Sequence, residues 1–161
     1  MTLPASWLVD DRVVTDAFIA ALKSYSEVAA LGDPDTLVGD DDVAALSAAP
    51  QGIKIRQLPD GMRSTDGGAY LTDGAVRGMK LQLHCVGSTR QQAQGLAAMV
   101  MRFLFDRTET NGDTGGYLTP IPVPKHAIYE RELVSVVGSV DSGRSMGRVI
   151  HVRLHVQRTA R

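Results

Sequence analysis

Met79-Lys80-Leu81-Gln82-Leu83-His84-Cys85, then Gly87-Ser88-Thr89 and the run from Arg90 to Phe105, decides the fold. In the first seven residues the apolar Met79, Leu81, Leu83 and Cys85 alternate with Lys80, Gln82 and His84. Successive side chains of a strand point to opposite faces, so this is a strand with one apolar and one polar face. Gly87-Ser88-Thr89 breaks the alternation, and Ser88 or Thr89 offers a side-chain oxygen to the free amides of a first helical turn. From Arg90 the period changes. Ala93, Leu96, Ala97, Val100 and Leu104 fall on one helical stripe, and Arg90, Gln91, Gln94 and Arg102 are polar. Met99 and Phe103 widen the apolar face, as a larger core or a subunit contact would require.

Working outward, Val14 to Leu31 carries helical periodicity, with Phe18, Leu22 and Tyr25 spaced i, i+4, i+7. Thr15 or Asp16 is the expected cap, and Gly32-Asp33-Pro34 is the stop. Residues 33–50 are acidic and alanine-rich and read as a loop or insertion. Asp40, Asp41 and Asp42 are expected to open a short helix through Leu46, since carboxylates favour a helix N-terminus. Ile53 to Leu58 alternates as a strand. Residues 59–75 form a second loop or insertion, opened by Pro59-Asp60-Gly61, with a hairpin tip around Ala69-Tyr70-Leu71. Asn111 to Gly116 reads as a flexible connection. Pro120, Pro122 and Pro124 impose an extended stretch poor in ladder hydrogen bonds. Strands are expected at 127–137, ending in an apolar run, and at 148–157. The order predicts one α+β domain over 1–161: a mainly antiparallel sheet with helices packed on one face.

The chain has 161 residues, enough to bury a core without metal or disulfide. Aromatics are only 5%, so that core rests on aliphatic side chains. A net charge of -1 lacks the basic excess of a nucleic-acid binder. The first residues show no signal-peptide pattern, and no run is long and apolar enough to cross a bilayer. No specific nucleic-acid or membrane binding is expected.

The residues that could carry chemistry favour plainer readings. His151 and His155 share a strand face but stand roughly 13 Å apart at the strand rise, too far for one metal. His84 and His126 sit at no ligand-like spacing with a thiol or carboxylate. Cys85 lies on the apolar face and reads as a small core side chain in a reducing setting. Gly67-Gly68 and Gly112 to Gly116 lack phosphate-loop spacing. Val86-Gly87-Ser88-Thr89-Arg90 lacks the second glycine of a nucleophile turn, so Ser88 is a capping candidate. No catalytic residue, metal or cofactor is expected.

The strand-turn-helix unit Leu81-Gln82-Leu83-His84-Cys85-Val86-Gly87-Ser88-Thr89-Arg90-Gln91-Gln92-Ala93, continuing to Leu96-Ala97-Ala98-Met99-Val100, resembles the central unit of tail-terminator proteins of long-tailed, siphovirus-type bacteriophages. The resemblance spans 14–157 in arrangement and is specific over 79–104. Segments 33–50 and 120–124 fall outside it. It implies a non-enzymatic virion protein at the head-proximal end of the tail, assembled in the host cytoplasm. Such proteins close into a homo-hexameric ring on the tail tube, stop polymerisation and present a surface to head–tail connector proteins.

A ring subunit needs two different patches that meet head to tail. The candidates are the free sheet edge, the wide helix with Met99 and Phe103, and the loop from Pro59 to Gly74 as the tube contact. Arg56, Arg63, Arg77 and Lys80 give that end a basic character, and Tyr70 stands at its tip. The plain alternative for the loop is a solvated hairpin. Competing functions are a head-completion or stopper protein of the neck, told apart by whether it retains portal or tube protein, and a small enzyme using Cys85 or a histidine.

Overall fold

The alternating run extends beyond its sequence pattern, and strand β3 covers Val76–Gly87. The computed structural model describes residues 9–40, 51–58, 76–110, 113–139 and 146–159. β3 lies in the middle of a five-stranded sheet with β1 (Val38–Asp40), β2 (Gly52–Leu58), β6 (His126–Ser139) and β7 (Met146–Arg158), in the order β1-β2-β3-β7-β6. β1 and β2 are parallel and the other neighbours antiparallel. A separate hairpin joins β4 (Arg107–Thr110) to β5 (Asp113–Tyr117). The helices are α1 (Asp11–Lys23), α2 (Ser26–Leu31), α3 (Pro34–Leu37) and α4 (Arg90–Phe105). This is the α+β class the pattern predicts.

Register turns the period-2 pattern into a core. Ile53 pairs with Cys85, Leu83 with Ile150, Leu81 with Val152 and Met79 with Leu154, and all of these are fully buried. Lys54 with His84, Gln82 with His151 and Lys80 with Arg153 make up the opposite, polar face. The helices cover the apolar face. Phe18 of α1 meets Phe103 of α4 edge to face at 5.7 Å, and Tyr25 meets the same ring at 5.4 Å. Each such buried side chain contributes roughly 1.5–3 kcal/mol through lost contact with water.

The turn before α4 follows from its residues. Thr89 caps the helix by accepting from the Gln92 amide at 3.2 Å, and the Gln92 carboxamide oxygen accepts from the Ser88 amide and hydroxyl. This is a variant of the capping box in which the Gln92 side chain reaches the residue before the cap. Gly87 is required here, because a Cβ would lie 2.6 Å from Gln92 Cβ and 2.9 Å from the Ala93 amide nitrogen.

Several boundaries differ from expectation. The N-terminal helix starts earlier, capped by Asp10, whose carboxylate accepts from Arg12 and Val13, and neither Thr15 nor Asp16 is the cap. It also breaks at Ser24, whose hydroxyl bonds back to the Ala20 carbonyl, and restarts as α2 after Tyr25. The break places the Tyr25 ring on Phe103. Asp33-Pro34 does stop α2 but opens α3, with Asp33 as cap and proline in the first turn. Asp40 ends β1, and residues 41–50, on which the expected short helix falls, lie outside the described residues. The connection expected over 111–116 contains strand β5 from Asp113 onward. The prolines behave as expected: Ile121 and Val123 are buried, and a lone bridge from Val123 to His126 is the only pairing there among the described residues.

Candidate functional site

Met99 and Phe103, expected as possible subunit contacts, are 3% and 0% exposed within the single chain. Phe103 is enclosed by Phe18 and Tyr25, so the extra width of α4 belongs to the core. The apolar surface left over lies elsewhere.

That surface is on β6. Leu133 and Val136 pair with Val152 and Ile150, both fully buried, and face the same side of the sheet. Yet they are 42% and 41% exposed, while among the described residues α4 lies mainly over β3 and β7. Tyr129 and Val134 fall at two register shifts in β6, and Val137 on the polar side is exposed as well. Apart from Leu31 and Leu118, every exposed large apolar side chain among the described residues is on this strand. The sequence signal was the break of alternation in Leu133-Val134-Ser135-Val136-Val137, which makes both faces of the strand apolar.

One point of the β6 edge is closed. The Tyr117 hydroxyl, carried by the β4–β5 hairpin, accepts from the Arg131 amide at 2.8 Å and donates to the Arg131 carbonyl at 3.3 Å. The Arg131 side chain is buried. Its guanidinium donates to the carbonyls of Phe103 and Leu104 at 3.3 and 3.0 Å and of Thr119 at 2.7 Å. A cation at the negative end of a helix dipole is favourable, and here it satisfies carbonyls that α4 leaves open. The guanidinium also stacks 4.2 Å from the Tyr117 ring centroid, as does that of Arg107. Burial pushes Arg131 below the ordinary arginine value. The sequence gives little hint of this role: an arginine in an alternating strand reads as surface.

The predicted basic residues separate. Arg56 and Lys80 stand on the polar face of adjacent strands. Arg77 is on the helical side, ion-paired to Asp11 of α1 at 2.7 Å, and Asp11 also accepts from Gln57 at 2.8 Å. Arg77 therefore braces α1 against the sheet. Arg63 and Tyr70 lie outside the described residues, as does the 59–75 segment proposed for tube contact.

The polar face is knit across strands. His151 lies 2.8 Å from Ser135 Oγ and 3.2 Å from Gln82 Oε1, because register sets the three residues in one row. Its pKa is lowered by burial and then by the nearby Lys80 charge. Glu132 bonds His155 at 3.0 Å and Arg153 at 3.3 Å. His126 is internal: the Asp10 amide donates to its Nε2 at 3.1 Å, so its Nδ1 carries the proton given to the Pro124 carbonyl at 2.7 Å. Cys85 is buried, and burial alone raises its pKa to about 12, which keeps it a thiol at neutral pH. Among the described residues no cluster of three metal-ligating side chains occurs, and no helix is long and apolar enough to cross a membrane.

No protein-family model matches this chain, and neither a curated protein nor a solved structure matches it.

Proposed function

We propose that this chain is the tail terminator of a long-tailed bacteriophage, closing as a ring on the finished tail tube. The reading rests first on the resemblance of the unit over 79–104. The single structural observation that supports it is the bare stretch of β6. An exposed apolar patch marks an association site, and Leu133 and Val136 on the helical side of β6 are exposed apolar side chains of that kind. Copies that bury this strip against a different patch of a neighbour form a closed ring when the rotation permits. In this role the ring ends polymerisation of the tube, offers its other side to the head–tail connector, and sits at the head-proximal end of the virion tail. No catalytic step is involved.

Electron microscopy of the purified protein mixed with tail tubes tests this. Six-fold rings at tube ends, with tubes that no longer elongate, are the expected result. A protein that leaves tube growth untouched, or retains portal protein and not tube protein in a pull-down, overturns it.

A further inference from the structure

The second register shift of β6 decides which side chain meets His151. Leu133 pairs with Val152, and an unbroken ladder would set Val134 opposite His151. The extra residue brings Ser135 into that place, on the polar face. β-Bulges are enriched beside active sites, where they re-aim a side chain. The group re-aimed here is a hydroxyl, and its Oγ lies 2.8 Å from His151 Nδ1.

The other ring nitrogen fixes the proton. Nε2 stands 3.2 Å from Gln82 Oε1, and an amide oxygen only accepts. Nε2 therefore carries the hydrogen, and Nδ1 presents its lone pair to the Ser135 hydroxyl. A hydroxyl, a base within hydrogen-bond reach and a third group that orients the base are the parts of an activated nucleophile. Register holds the three in one row across β6, β7 and β3, and all are half-buried, so a small reagent can reach them. The surroundings keep the base free. Burial and then the Lys80 charge lower the His151 pKa, which leaves the ring neutral at neutral pH. Lys80, Arg153 and Glu132 form the adjoining row on one side, Lys54 and His84 belong to the row on the other, and Arg56 continues the ring's own row beyond Gln82. Four of these six are cationic, and such a face favours the negative charge that develops on an attacked carbonyl oxygen.

We propose that Ser135 is a nucleophile for acyl transfer from small carboxylic esters, with His151 as its general base and Gln82 as the residue that positions the base. The proposal is independent of the ring reading. Ser135 Oγ forms a bond to the carbonyl carbon, and its proton passes to His151 Nδ1. The bond from that carbon to the leaving oxygen breaks, and the proton moves on to the departing alcohol. Water then attacks the acyl-serine with the same base, which releases the acid and restores the hydroxyl.

The test treats the full chain with a fluorophosphonate probe, on which an activated serine displaces fluoride. Mass spectrometry should find the label on the peptide carrying Ser135. The labelling rate should rise as His151 gives up its proton, with a midpoint below the ordinary imidazole value of 6.5. Ser135→Ala should abolish the label, and His151→Gln should slow it by about a hundredfold or more, with thermal midpoints near the parent's. Gln82→Leu lets the ring place its hydrogen on Nδ1, and labelling should slow by at least about tenfold. Gln82→Glu restores the acceptor, so labelling returns with its midpoint moved to higher pH, because a carboxylate favours the charged ring. The same variants should rank in the same order in the hydrolysis of p-nitrophenyl acetate. A parent chain left unlabelled at Ser135, a rate that ignores pH, or a His151→Gln protein that labels like the parent overturns the proposal.

Discussion

β7 and β6 are neighbours in one sheet, yet one is sealed and the other bare. Ile150, Val152, Leu154 and Val156 of β7 are fully buried in the core, while Leu133 and Val136 one strand over face the same side and meet solvent. The difference is one of cover, since side-chain character is the same in both. α4 is one helix wide and its apolar stripe is consumed by β3, β7 and the Phe18–Phe103–Tyr25 cluster. A sheet wider than its helical layer keeps an apolar margin.

Substitutions on the two sides of this border separate sharply. Phe103→Ala removes the ring shared by α1, α2 and α4, and about 3–5 kcal/mol of stability goes with it, measured by denaturant unfolding. A loss below about 1 kcal/mol would mean the helical layer is not a packed core. At the border itself, Arg131→Met leaves the Phe103, Leu104 and Thr119 carbonyls without their donor. The expected loss is about 2–3 kcal/mol by the same measurement, since hydrogen bonds from a charged group are strong and the acceptors stay buried.

Acid reaches the helical layer through a different residue. Hydrogen bonds from Arg102, then from Tyr25, hold the Glu27 carboxyl at about 2, below its ordinary 4.5. Its folded pKa is depressed, so its contribution is complete above the ordinary carboxylate range and fades as pH falls towards 2. The pair is about half exposed and its effect correspondingly small. The thermal midpoint of Glu27→Gln should lie slightly below the parent near neutral pH and coincide with it near pH 2. A constant gap across that range would show that the ion pair is not the cause.

The smallest effect on stability, and the most informative on assembly, belongs to the margin. Val136→Ser and Leu133→Ser should change unfolding free energy by no more than about 0.5 kcal/mol, as exposed positions do. On the ring reading proposed above, sedimentation should show their oligomers lost. Stability that drops by more would place these side chains inside the core after all.

Much of this border is legible in the residues themselves. The period of 2 in Met79–Cys85 and in Ile150–Val156, and the helical stripe of α4, each report which side chains share a face. They do not report how far a layer extends in space, and that is why Met99 and Phe103 read equally well as core or contact. The Leu133–Val137 run announces a strand with two apolar faces but not which side lacks a lid. Arg131 and Tyr117 meet across the β4–β5 hairpin, and no local pattern encodes such a meeting. The helix break at Ser24 escaped for a related reason: Tyr25 keeps the i, i+7 spacing from Phe18, and only its packing on Phe103 requires the turn.

The strand order carries a consequence for synthesis. β7 emerges after every other described strand of the sheet, yet it takes the place between β3 and β6, and among the described residues β6 has no other partner in that sheet. Until it arrives, the nascent polypeptide holds a two-sided apolar segment with no ladder to join. The apolar margin and the scaffold that presents it therefore come into being together, so a half-made chain has no properly formed β6 edge.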